Sequence, residues 1–391
     1  MIKNETICKS ILVIFFIFSC ISIYYSLKAN TFFFNPYSFQ GWFISYTGQG
    51  FKYVLAGELT NVIRRLFSVS WLNSYLILLS FFYIVILGTL FYKFWKFSND
   101  LKIVLLFAPT SLIYLIFEDT LVGRFEVILF FYVSLLYLFI RKQIINNFTK
   151  FYFINGLIIS ILLFVESSFI FYTPMIFIML EKFTKRKFIL KKFLINSSTF
   201  YIPQLLIFFF ILFTAPTAGN FDLELYYNKI DIGFVHEFRN MCNNYGAGYI
   251  CFLNKELADY NPYANYPLNQ LIRSALLTLL IFGIFLIYYF YLQEFNLDTY
   301  DFLILVFFVF FCFISIYATD WPRYLYVICV IMTFFINETK TKEINSFLLM
   351  FIILLNMQLL LTPSYNGQFT HTAHERIHII YTQIMQKNPT H

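Results

Sequence analysis

Residues 71–92 read WLNSYLILLSFFYIVILGTLFY, twenty-two positions without one charged side chain. At 1.5 Å of rise per residue such a helix is about 33 Å long, which matches the hydrocarbon thickness of a bilayer. Apolar runs recur on both sides of it, at about 11–27, 103–117, 121–140, 151–164, 168–181, 197–215, 270–292, 302–318, 322–336 and 346–362. Only helices and closed barrels satisfy their backbone polar groups in lipid. The runs have helical rather than strand length. The expected fold is therefore all-α: a polytopic integral membrane protein of about eleven transmembrane helices (10–12), one transmembrane domain over 1–391.

Two stretches leave the helix count open. Glu166-Ser167-Ser168 and then Pro174 interrupt 151–181, which reads as two short helices with a tight turn or as one long kinked element. Residues 103–140 pose the same question between Glu118 and Arg124. The first run follows Lys3 and Lys9 without a small-x-small cleavage pattern, and bulky Phe18 before Cys20 does not suit a lipoprotein site. It reads as an uncleaved first helix.

Composition excludes the alternatives. The 391 residues are 60% hydrophobic and 13% charged, against about a quarter charged in a soluble domain. Disorder would need few aromatics, and Phe and Tyr alone supply 85 residues. That excess, together with abundant Ile, Asn and Lys, also fits AT-rich codons. The net charge of +7 would suggest nucleic acid in a soluble protein. Sorted by membrane side, the basic residues serve topology instead. With the N-terminus inside, sixteen Lys and Arg, Lys93, Arg141 and Lys182 among them, fall in roughly 65 cytoplasmic residues, and the other twelve in roughly 145 outer ones. This orientation leaves short cytoplasmic loops. Outside lie the loops 28–70 and 216–269 and a tail at 363–391, so the chemistry is expected there.

Cys8, Cys20, Cys312 and Cys329 fall in or beside helices and read as small hydrophobes. Cys242 and Cys251 share an outer loop around Asn243-Asn244-Tyr245-Gly246. They read as a disulfide in an oxidising compartment, or else as two reduced thiols packed under the loop.

Ionisable groups at the edge of hydrocarbon cost several kcal/mol unless paired or wet, which makes them candidates for function. Three clusters fall at the outer boundary: Glu118-Asp119 with Arg124 and Glu126, Glu166-Ser167-Ser168, and Asp320-Trp321-Pro322-Arg323. Each has a purely structural reading beside the functional one: Asp320 as a helix cap, Glu118 or Asp119 as an ion-pair partner of Arg124, Trp321 as interfacial belt. The first outer loop adds Trp42, Tyr46 and Lys52. A segment at 55–67 then puts Leu55, Leu59, Val62, Ile63 and Leu66 on one face, beside Arg64 and Arg65, with Glu58 as the loop's one acid. It reads as a helix in the outer interface, suited to a lipid phosphate or to anionic lipids in general.

No P-loop, dinucleotide glycine pattern, Asp-x-Asp or serine elbow occurs; Asp222-Leu223-Glu224 is the nearest look-alike. His374-Glu375-Arg376-Ile377-His378 matches the zincin spacing. It lies 14 residues from the C-terminus with no downstream ligand but His391, and reads first as an amphipathic tail helix.

In its layout of many helices, short inner loops and long outer loops carrying arginine, the chain resembles bacterial O-antigen and surface-polysaccharide polymerases. The acid in its first outer loop, Glu58, also resembles the placement in GT-C glycosyltransferases. The resemblance implies an enzyme of the bacterial cytoplasmic (inner) membrane that joins polyprenyl-diphosphate-linked oligosaccharide units at the outer face. The alternative is a single-sugar transferase using a polyprenyl-phosphate donor. It implies membrane lipids and a chain-length regulator protein as partners, with no nucleic acid, no cofactor and no metal. Such a reaction needs a carboxylate to take the acceptor hydroxyl proton and cations for the departing diphosphate. The candidate bases are Glu118, Asp119, Glu166, Asp320 and Glu58. Arg124, Arg323, Arg64, Arg65 and Lys52 are candidates for the diphosphate, and Trp42, Tyr46 and Trp321 for stacking on sugar faces. A flippase would carry its charges near the midplane and show internal repeats, and none is found here.

Overall fold

A computed structural model describes residues 4–33, 42, 54–96, 106, 124–142, 145, 147–184, 188–214, 285–286, 289–290, 298–317 and 321–336. Of these residues 89% are helical and none lies in a strand, so the class is all-α. The elements are α1 (Asn4–Phe33), α2 (Val54–Phe67), α3 (Trp71–Trp95), α4 (Glu126–Arg141), α5 (Phe148–Leu162), a 3-10 turn (Ser167–Tyr172), α6 (Thr173–Phe183), α7 (Leu190–Thr214), α8 (Thr299–Tyr317) and α9 (Trp321–Phe334). Two of them, α3 and α7, are long and apolar enough to cross a membrane. The expected runs at 103–117 and 346–362 lie outside the described residues, apart from Leu106.

Local chemistry sets the helix ends. Ser70 caps α3 by accepting a hydrogen bond from the Asn73 amide at 3.2 Å, and Asn147 caps α5 through the Lys150 amide at 3.1 Å. The stretch 151–181 resolves into two short helices joined by the 3-10 turn, with Pro174 in the first turn of α6 where its missing donor costs nothing. Pro203 lies inside α7, which starts seven residues earlier than the apolar run and takes in Lys191 and Lys192.

Two helices, α5 and α7, turn polar or small residues inward and large apolar ones outward. α7 buries Asn196 and Gln204 and exposes Ile202, Leu206, Phe209 and Phe213. α5 buries Asn155, Gly156 and Ser160 and exposes Phe153, Ile154 and Ile161. The two helices meet on these small and polar residues. A methyl group at Gly156 would run into the Phe200 carbonyl oxygen, with Pro203 Cγ 3.1 Å away. Ser160 and Gln204 donate back to carbonyls of their own helices, whereas Asn155 and Asn196 also bond to other helices, Asn196 donating to Glu181 at 2.8 Å. Tyr132 donates to Asn155 Oδ1 at 2.7 Å, and Asn155 donates back to the Phe151 carbonyl. Close approach over small residues with polar bonds between helices is how apolar-faced helices pack when lipid, not water, surrounds them.

Helix directions follow from the residues in contact. Phe82 meets Phe131 and Tyr92 meets Arg141, so α3 and α4 run parallel. Phe130 meets Tyr326, and Lys93 meets Thr333, so α9 runs the same way. Phe183 beside Phe335 adds α6 to this set. α1 is antiparallel to α3, with Lys9 over Trp95 and Phe16 against Phe91. α8 is antiparallel to α6, since Lys182 pairs with Asp301. The bundle therefore has two distinct ends. Lys9, Lys93, Lys96, Arg141, Lys142, Lys150, Lys182, Lys191 and Lys192 all fall at one, called the basic end below.

Candidate functional site

The far end gathers the candidate residues that the structure describes. Trp42 packs against Tyr75 of α3 (rings 5.6 Å apart) and Phe125 just before α4 (5.3 Å). It is fully enclosed, so in this conformation the ring anchors chain to bundle and presents no face to a sugar. Arg124 is half-buried in the turn that enters α4, five residues before which the apolar run had suggested the helix would begin. Glu126, two residues on, is 3% exposed at the first turn of α4, where the free amides and the helix dipole favour a carboxylate.

Glu166 is buried, and its Oε1 accepts the Ser168 amide at 3.2 Å to cap the 3-10 turn. Beside it the Ser168 hydroxyl is enclosed without a hydrogen-bond partner. Glu58 is half-buried in α2, where Asn61 Nδ2 donates to it at 3.4 Å; Asn61 Oδ1 in turn accepts from Arg64 at 3.3 Å. The Arg64 guanidinium then lies 5.1 Å over Trp71. Arg65 is exposed.

The segment at 55–67 is the expected helix, but it presents a different face. Ala56 and Thr60 are buried and Leu55, Leu59 and Ile63 pack against the core, while Val62 and Leu66 are exposed together with Phe67.

Trp321 and Arg323 lie in the first turn of α9, at this same end. Glu118, Asp119, Asp320, Lys52, Tyr46, Cys242, Cys251 and the histidines of the tail lie outside the described residues. Among the described residues no group of three His, Cys, Asp or Glu could hold a metal ion.

The basic end carries a network that the apolar runs did not foretell. Lys93 is 1% exposed; its ammonium donates to the Thr333 carbonyl at 3.0 Å and to the Phe334 carbonyl, and sits 4.8 Å over the Tyr137 ring. Arg141 stacks on Tyr92 at 4.7 Å and reaches the Tyr137 hydroxyl. Lys182 pairs with Asp301, and the buried Glu181 accepts from Asn196 (2.8 Å) and Tyr300 (3.2 Å). Rings of Tyr137, Phe183 and Phe335 join the two halves of this network. Lys93 and Lys182 count toward topology in a charge tally, although both are built into the protein. The available signal was position: Lys93 precedes Trp95 within an unbroken apolar helix.

No family model matches the chain, and neither the curated proteins nor the solved structures yield a match.

Proposed function

We propose that the chain is a multi-pass enzyme of a bacterial cytoplasmic membrane, with about eleven spans, that joins polyprenyl-diphosphate-linked oligosaccharide units at the outer face. The observation that carries this reading is the uneven placement of cations along one bundle, with nine at the basic end beside Glu181 and Asp301. Arg64, Arg65, Arg124, Glu58, Glu126, Glu166 and the start of α9 share the far end, and nine lysines and arginines share the other. Membrane placement is supported by the inverted polarity of α5 and α7 and by the two ends of α3. Trp71 and Trp95 stand about 36 Å apart along that helix, each beneath a cation, as side chains at both interfaces of a bilayer do. The basic end faces the cytoplasm on this reading, which puts the N-terminus inside and the C-terminal tail outside.

The chemistry follows from the side chains. Arg124, with Arg323 opening the neighbouring parallel helix, takes the diphosphate, since guanidinium grips phosphate bidentately. A carboxylate of the same end takes the proton of the acceptor hydroxyl. The test is Arg124→Ala and Arg323→Ala in the native host, with surface-glycan length and protein abundance measured together. Loss of long glycan at normal abundance is expected, with partial recovery in Arg→Lys. Normal chain length in both alanine variants rejects the reading, as do reporter fusions near 98, 146, 188 and 340 that face outward.

A further inference from the structure

We infer that Lys93 is a positioning residue: by holding the last turn of α9 against α3 and α4 at the basic end, it sets the separation of Arg124 and Arg323 at the far end. This rests on the reading of those arginines as a shared phosphate grip. The last carbonyls of a helix have no partner within it and carry its negative pole. Thr333 and Phe334 offer two such carbonyls, and the Lys93 ammonium, arriving from α3, takes both while its charge lies over Tyr137 of α4. One buried cation thereby joins three parallel helices. Two of them, α4 and α9, begin beside Arg124 and with Arg323.

Those helices transmit the constraint. α9 is about 20 Å long, so a tilt of about 10° about its released end moves its start by about 3.5 Å. A bidentate phosphate site tolerates roughly 0.5 Å. Arginine in place of Lys93 keeps a donor and a charge for the carbonyls; methionine fills the space and keeps neither.

The experiment is a distance measurement between spin labels at Arg124→Cys and Arg323→Cys in the full chain, in nanodiscs, with the native cysteines replaced. With Lys93 present one narrow distribution is expected. Lys93→Met should broaden or shift it by about 3 Å by the same lever, and Lys93→Arg should return it to the narrow form. An unchanged distribution in Lys93→Met overturns the inference. If that variant yields no folded protein, Lys93→Gln, which keeps donors without charge, should show intermediate broadening, and an unchanged distribution there overturns it equally. No substrate is present in this measurement. Its failure leaves the proposed reaction standing, whereas normal glycan in the arginine variants sinks the reaction and leaves the distances intact.

Discussion

The two ends of this bundle use similar residues in opposite ways. At the basic end, charged side chains reach between helices far apart in sequence: Lys93 to the end of α9, Lys182 to α8, Glu181 to α7 and α8. At the far end, Glu166 bonds to the Ser168 amide within its own turn and Glu58, Asn61 and Arg64 are linked along α2, while Arg64 also lies over Trp71 of α3. A charge tied between helices cannot move without moving a helix. A charge tied to its own turn can change partner when a ligand arrives. The basic end is thus built to hold; on the proposed reading, the far end is where a substrate would be met.

The sharpest way to break this contrast is at Lys182. Its pair with Asp301 is largely enclosed, with side-chain exposures of 16% and 8%. Removing one partner of such a pair leaves a charge with no counterpart, at a cost of about 3 kcal/mol. Lys182→Met should therefore lower thermal stability in detergent by that amount. Lys182→Met combined with Asp301→Leu should recover most of it, since no lone charge remains. A single variant as stable as wild type would mean that the basic end is not the holding end.

Between the ends, the α5–α7 contact sets the next effect. Gly156→Ala places a methyl against the Phe200 carbonyl, which is backbone and cannot rotate aside. The helices must separate, at about 1–3 kcal/mol. Unfolding followed in mild detergent would check this, and a neutral result would show the two helices to be less closely packed than described.

These examples also mark how far the sequence carries. The helices were readable because long apolar runs of this length have few substitutes: those at 71–92, 197–215, 302–318 and 322–336 each contain the greater part of a described helix. Helix faces were not readable. Val62 and Leu66 carried the same apolar signal as Leu59 and Ile63, and only the last two pack on protein. On the proposed membrane reading, hydrophobicity would not tell inside from outside. The division of the lysines was barely readable. Lys93 and Lys96 stand three residues apart, one buried under α9 and the other exposed, and only their places before and after Trp95 separate them. Of the candidate site, the clustering of Arg124, Glu166 and the start of α9 at one end followed from counting spans. The capping role of Glu166 was not anticipated, although a Glu two residues before a turn's amide can supply it.

That role gives a smaller prediction with two readouts. Glu166→Ala removes a cap and should cost about 1 kcal/mol. Glu166→Gln retains an acceptor for the Ser168 amide and should be nearly as stable as wild type. If Glu166 is the proton acceptor, both variants lose glycan product alike, although their stabilities differ. If it only caps the turn, product follows stability, and Glu166→Gln is close to normal.

The smallest expected effect separates two neighbouring arginines on α2. Arg64 is committed twice, to Asn61 and to the face of Trp71 at 5.1 Å, while Arg65 is exposed. A cation over an aromatic ring at such a site contributes about 0.5–1 kcal/mol, so Arg64→Ala should be measurably destabilising. Arg65→Ala, away from any such feature, should stay within about 0.5 kcal/mol of wild type. Their expected effects on substrate are reversed. Arg64 must give up two partners before it can bind a phosphate, whereas Arg65 is exposed among the described residues. Arg65→Ala should therefore raise the donor concentration needed for half-maximal rate more than Arg64→Ala does, by a few-fold, with each variant's rate corrected for its folded fraction. Equal kinetic effects from the two would mean that α2 contributes charge without geometry, and that the far end recognises phosphate through the arginines beside α4 and α9 alone.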